Sequence, residues 1–269
     1  MYREAIRSPT AWPASGELVE VLGVDGKPLA QGFFNADGPI AVRVLATSSA
    51  GNATDELIAA RIFRAAMLRT TSSIDSDALR LLHGEGDLVP GLVLDAYAGV
   101  GVVRFDGQAS AAFWEPRLDS VLAKLAECGF PLEGVWARST AGRTTGGSVA
   151  RGAPPPAEVV IREGAARYAV DVVHGQKTGF FLDQRDNRAL VGRLANDVDV
   201  LNLFAYTGGF SIAAALGGAR STTSVDSARP AIEAARRNFG LNGLAEKAHE
   251  LIVSDVFDFL ATARRQSRL

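Results

Sequence analysis

Residues 200–218 read VLNLFAYTGGFSIAAALGG, an apolar run that meets two glycines and passes at once into a helix-like run. Gly208 and Gly209 carry no side chain, so backbone there can approach a ligand closely. A helix opening near Phe210 would present N–H groups that have no intrahelical partner. Two acids follow. Asp226 lies about 20 residues past the turn, where a carboxylate can accept both ribose hydroxyls and disfavours a 2′-phosphate. Asp255 stands where a carboxylate, or the backbone beside it, can meet an adenine amino group. The dinucleotide fingerprint G-x-G-x-x-G is not met, because the turn reads TGGFSI. A glycine turn, a ribose acid and an adenine-side acid in that order fit S-adenosylmethionine (SAM) better than NAD. Each feature also has a plainer reading, the turn as a strand–helix corner and each acid as a strand-end cap or solvated charge.

Those residues need strands and helices to hold them. From about residue 184 the chain alternates helix and strand. DQRDNRALVGRLA is a helix, VDVLNLFA a strand and GGFSIAAALGGA a glycine-opened helix. STTSVDS is a strand, RPAIEAARRNFGLNG a helix, HELIVSD a strand and VFDFLATARRQ a helix. This alternation predicts a parallel, doubly wound α/β sheet, with Asp226 and Asp255 at its second and third strand ends. The first ~70 residues instead show period-2 segments, ELVEVLG, LAQGFF and IAVRVLAT, separated by the turn signals VDGKP and NADGP, which suggests a small barrel. Next, TDELIAARIFRAAMLRT has helical spacing, with Thr54 as its cap. Between about 73 and 173 the pattern predicts an α+β block. Its helix ends at Gly129, its last strand is ARYAVDVV, and AGRTTGGSVARGAPPPAE reads as a loop.

Composition narrows the class. The chain has 269 residues and one cysteine, Cys128, which excludes an internal disulfide and a cysteine-based zinc cluster. The apolar runs are too short to cross a bilayer, and MYREAIRSPTAW contains no secretory h-region. A cytoplasmic protein with no membrane partner is expected. The net charge of −2 gives no global attraction to nucleic acid. Its distribution is uneven: residues 1–100 hold 8 Lys+Arg against 12 Asp+Glu, and residues 138–193 hold 9 against 5. The second count allows a local basic belt facing a phosphate backbone.

HGQKTGFFLDQRDNR, followed by VLNLFAYTGGFSIAAALGGA and SVDSARPAIEAARRN, resembles the ribosomal RNA large subunit methyltransferase I family. Upstream, GELVEVLGVDGKPLAQGFFNADGPIAVRVL resembles that family's PUA RNA-binding barrel, and LHGEGDLVPGLVLDAYAG its middle α+β domain. The resemblance implies an rRNA-processing transferase that uses SAM to methylate cytosine C5 of 23S ribosomal RNA. It divides the chain into a PUA-like domain over 1–72, a middle domain over 73–173 and a Rossmann-like SAM-binding domain over 174–269. For the cofactor it implies Phe180, Phe181, Asp183, Gln184, Asn202, Phe204, Ala205, Thr207, Gly208, Asp226 and Asp255. For RNA or cofactor carboxylate it implies Lys177, Arg185 and Arg188, and the basic segment adds Arg138 and Arg143. Tyr206 reads as packing beside the turn.

The same resemblance predicts that something is missing. In the family a further strand carries an Asp-Pro-Pro-type motif, and a later cysteine attacks the pyrimidine ring. Here the sequence reaches ATARRQSRL before either, and the family's His-Pro-Trp entry segment is also lacking. The chain is therefore expected to hold only the first half of the Rossmann-like domain. Its first strand would lie exposed, open to self-association. A non-catalytic RNA-binding remnant, with or without SAM binding, is the alternative.

Overall fold

The period-2 segments near the N-terminus form antiparallel strands. In the computed structural model, which describes residues 1–7, 12–139, 146–244 and 248–265, β1 (Leu18–Leu22), β2 (Pro28–Phe34) and β3 (Val42–Thr47) pair in that order. Of the expected barrel, the described residues contain these three strands. Helix α1 (Asp55–Thr71) starts as its sequence signals. The Thr54 side chain accepts a hydrogen bond from Leu57 N–H at 3.2 Å, replacing one bond the first turn lacks.

A five-stranded sheet follows, made of β4 (Ala78–His83), β5 (Leu92–Tyr97), β6 (Val100–Phe105), β7 (Gly134–Arg138) and β8 (Gly147–Gly152) in sequence order. β5 and β6 run antiparallel, as do β7 and β8, while β6 and β7 are parallel, their crossover holding α2 (Gln108–Trp114) and α3 (Leu118–Glu127). The segment read as a loop is corrected here. Its residues Gly147–Gly152 are β8, antiparallel to β7. Glycines at both ends and no apolar alternation hid it, since the pairing with β7 rather than its own propensity makes it a strand. Phe33 of β2 stacks on Phe113 of α2 with centroids 4.5 Å apart, and both sheets share one core with Ile62, Leu81, Leu94, Trp114 and Leu125.

The remaining elements are β9 (Val159–Glu163) and β10 (Ala166–Val170), an antiparallel hairpin, then α4 (Arg185–Leu194), β11 (Asp199–Leu203), α5 (Gly209–Leu216), β12 (Ser221–Asp226), α6 (Arg229–Leu241), β13 (His249–Val253) and α7 (Val256–Arg265). Strands β11, β12 and β13 are parallel neighbours in that order, as the α/β alternation predicts. Among the described residues β11 pairs only with β12, so it forms an edge of the sheet. By contact density the chain divides into two compact units. The first is Met1–Ile74, Leu79–Ala157 and Val172–Gly179; the second is Asp75–Ala78, Glu158–Asp171 and Phe180–Leu269. No helix among the described residues is long and apolar enough to cross a membrane.

Candidate cofactor site

The glycine turn lies in the second unit, between the carboxyl end of β11 and the start of α5. Its backbone is unusual: Phe204 (φ 57°), Tyr206 (φ 49°) and Gly208 (φ 80°) are all left-handed. Two of these carry side chains, for which that region costs of order 1 kcal/mol or more and persists only where neighbours fix it. The neighbours are named contacts. Ala205 N–H donates to Val225 O at 3.0 Å, and Gly208 N–H donates to Ala205 O at 2.9 Å. Tyr206 N–H donates to Asp226 Oδ2 at 2.8 Å. At Gly208 a Cβ would stand 3.1 Å from Ala235 Cβ, in a conformation side chains rarely adopt. At Gly209 it would stand 3.2 Å from Arg188 Cδ.

Asp226 is the last residue of β12, at the strand end where open α/β sheets bind ligands. Its Oδ1 accepts from Ala228 N–H at 2.9 Å, so each oxygen holds one backbone amide. A carboxylate has about four acceptor positions, which leaves capacity for ligand hydroxyls. Asp255 lies just beyond β13 rather than within it. Its Oδ1 accepts from Phe257 N–H (2.8 Å) and Asp258 N–H (3.2 Å), capping α7. The plainer reading of this acid, a cap, is thus realised.

Asn202 faces inward from β11. Its Nδ2 donates to Ser211 Oγ at 2.9 Å, and Ser211 Oγ lies 2.7 Å from Ser224 Oγ, so a buried polar chain ties β11, α5 and β12 together. Phe204 is two-thirds exposed and meets the exposed Phe257 edge-on at 6.3 Å. Phe181 packs edge-to-face on Tyr206, centroids 5.5 Å apart, which places it beside the turn. Asp183 is exposed. Gln184 is half-buried, its Oε1 accepting from Asn187 at 3.0 Å. Thr207 is half-buried, and its carbonyl accepts from Asn238 Nδ2 at 3.1 Å.

Arg188 is placed otherwise than a phosphate-facing arginine. Its side chain is 3% exposed, and its Nε and Nη2 donate to Glu163 at 2.7 and 2.6 Å. It also donates to Phe181 O and lies over the Phe180 ring at 4.4 Å. Its charge is met inside the unit because a buried guanidinium needs a partner carboxylate. Phe180 is buried against Tyr168 at 4.9 Å, the packing role. Tyr168 donates to Gly209 O at 3.3 Å, and burial pushes its phenol above its ordinary range. Arg185 is half-buried, with Asp186 at 3.3 Å. Glu163, Tyr168 and Asn238 thus support the turn without any sequence motif pointing to the first two. Asn238 did leave a signal: RPAIEAARRNFGL puts an asparagine inside a helix, where asparagine is a poor former.

In the first unit, Arg138 is buried and its Nη2 donates to Gly175 O. Lys177 is exposed, with left-handed backbone (φ 54°). The next residue, Thr178, is buried and donates to Asp95 Oδ2 at 2.5 Å, with Tyr97 OH at 2.7 Å; Arg80 in turn pairs with the fully buried Asp95. Arg143 lies outside the described residues. Cys128 closes α3 and packs against the first unit's core.

Residues 150–266 match the S-adenosylmethionine-dependent methyltransferase family, and residues 1–47 match the PUA-like domain. A ribosomal RNA large subunit methyltransferase of Deinococcus radiodurans is 36% identical over 277 residues, covering 98% of this chain and 67% of the relative. The chain belongs to the ribosomal RNA large subunit methyltransferase family. A ribosomal RNA large subunit methyltransferase I of Tolumonas auensis is 35% identical, over 99% of this chain and 68% of its own length. The chain therefore spans about two thirds of the length of these curated family members. Among solved structures, a SAM-dependent methyltransferase from Streptococcus mutans superposes with a TM-score of 0.78 at 26% identity, over 96% of this chain and 67% of that one. A second solved methyltransferase, complexed with SAH, shares the fold at a TM-score of 0.79 and 24% identity, over 95% and 66%. The family's cofactor is S-adenosylmethionine.

Proposed function

We propose that this chain binds SAM at the turn 204–209 and docks large-subunit ribosomal RNA, as the cofactor-binding part of an enzyme that methylates cytosine C5. One observation carries the cofactor assignment. The Asp226 carboxylate, at the end of β12, is hydrogen-bonded to the turn itself through Tyr206 N–H at 2.8 Å. The ribose acid and the glycine turn are thus one rigid piece, with acceptor capacity left for two hydroxyls. These residues fit the cofactor. Asn202 and Ala205 would fix the strand end, Thr207 and Gly208 the turn, and Phe181 and Gln184 the preceding segment. Asp183 adds an exposed carboxylate beside them, and Asp255 with its neighbouring backbone would face the adenine side. Bound there, SAM would supply an electrophilic methyl group; the residues of this chain would bind and orient it.

For RNA, the exposed Lys177 and the half-buried Arg185 are the phosphate contacts we propose, with Arg138 and Arg188 acting from within the fold. By this reading residues 1–72 and 73–173 present RNA, and 174–269 hold the cofactor, in a cytoplasmic protein.

Cytosine C5 is a weak nucleophile, and a thiolate added at C6 makes it enamine-like. The one thiol in the sequence, Cys128, ends a helix and packs on apolar side chains. That observation favours a second reading for the chain in isolation, a SAM- and RNA-binding protein that does not itself transfer the methyl group. Photo-crosslinking with labelled SAM tests the cofactor assignment. Label is expected in the peptides that carry residues 202–209 and 226; label confined to peptides of residues 1–157 would contradict it.

A further inference from the structure

We infer that Asn238 is a positioning residue for the cofactor turn: its side chain fixes the Thr207 carbonyl, and so the peptide that opens α5. The inference rests on the proposed SAM reading of that turn. Asn238 lies on α6, outside the turn and both strand ends, and is fully buried. Both ends of its amide are in use. Oδ1 accepts from Ala169 N–H of β10 at 2.7 Å, and Nδ2 donates to Thr207 O at 3.1 Å. A buried amide satisfied at both ends holds its two partners in a fixed relation, because losing either bond would strand a polar group away from water.

The neighbouring asparagine supplies the contrast. Asn242, one helical turn on, accepts from Arg167 N–H at 2.8 Å and donates to Arg167 O at 2.7 Å. Both asparagines therefore clamp the edge of β10 as a partner strand would. Only Asn238 also reaches the turn. The carbonyl it holds precedes Gly208, whose left-handed backbone (φ 80°) and N–H bond to Ala205 O set the path into α5. With Thr207 O bound against α6, the Thr207–Gly208 peptide cannot rotate to present a carbonyl where the helix N-terminus should present N–H groups. Asp226 fixes the turn at Tyr206 N–H, and Asn238 fixes it at Thr207 O.

The test compares three variants of the full 269-residue chain, with calorimetric SAM affinity and thermal unfolding measured on each. Asn238→Asp keeps an oxygen for Ala169 N–H but sets a carboxylate oxygen against Thr207 O; Asn238→Ser, smaller and neutral, is the variant to use if the aspartate does not fold. Asn242→Ala removes the two bonds to Arg167 of β10 and the bond from Asn242 Nδ2 to Asn238 O (2.7 Å), but no contact with the turn. SAM affinity should fall about tenfold or more in the Asn238 variants, the loss expected when a buried turn carbonyl is released. In Asn242→Ala the thermal midpoint should drop while SAM affinity stays within about twofold. Amide exchange gives a second readout: residues 207–210 should exchange faster in Asn238 variants only. Asn238 variants that bind SAM like the parent, or an Asn242 variant that loses as much affinity, would overturn the inference. Asp226→Ala separates the two levels. If it loses SAM and Asn238→Asp does not, only this inference fails; if the parent chain binds no SAM, the reading beneath fails with it.

Discussion

At the scale of single residues, the site depends on side chains that meet charges or carbonyls out of reach of water. Arg188 and Glu163 are the sharpest case, with side chains 3% and 9% exposed and two hydrogen bonds between them. Removing one partner leaves a buried, unmatched charge, which costs about 3–5 kcal/mol, whereas replacing both with apolar residues is often nearly neutral. Glu163→Gln should therefore lower urea-unfolding stability by that amount. The double variant Glu163→Leu with Arg188→Met should recover much of it, and additive losses would refute the coupling. This residue scale was only partly legible. Asp226 could be found because a strand end about 20 residues past a glycine turn is a fixed place in such sheets. The buried pairing of Arg188 could not, because its partner Glu163 is 25 positions away, on a strand that was not read from the sequence.

At the scale of elements, the helix–strand alternation after residue 184 was readable because each element carries its own period and caps. Strand β8 was not, since its pairing with β7 rather than local pattern specifies it, and β9 was missed although VVIRE favours a strand, because it directly follows the Gly/Pro-rich segment. His249 on β13 lies 3.0 Å from Thr222 Oγ1 and against the Phe239 ring, and burial lowers its pKa from 6.5. Folding therefore favours the neutral ring, and the unfolded chain takes up a proton that the folded chain does not. This contribution is complete above about pH 6.5 and is lost as pH falls through the lower folded value. His249→Gln should flatten the stability–pH profile between about pH 5 and 7, and an unchanged profile would contradict this. At the sheet edge, β11 has one partner strand among the described residues, and the exposed Phe204 and Phe257 rings stand beside its end. We expect concentration-dependent self-association, reduced by Phe257→Lys. Sedimentation showing a monomer at all concentrations would rule it out.

At the scale of the whole molecule, a PUA-like N-terminal region and a SAM-dependent methyltransferase region occur in one chain of modest net charge, −2. On the proposed RNA reading, affinity rests on local cations, so large-subunit RNA fragments should bind with a log-affinity that falls linearly with log salt. Lys177→Ala should reduce that slope by about one. A flat salt response would rule out a basic belt on this chain. The family was legible from GQKTGFFLDQRDNR and the turn after it, whereas the roles of the units depend on chemistry that a fold alone does not fix.

On the proposed reading, Asp226 holds SAM at the turn. Calorimetric titration of SAM into the 269-residue chain and into Asp226→Ala tests it most directly. Saturable one-site binding to the parent and loss of measurable affinity in the variant are expected. Equal affinity in the two proteins would contradict it.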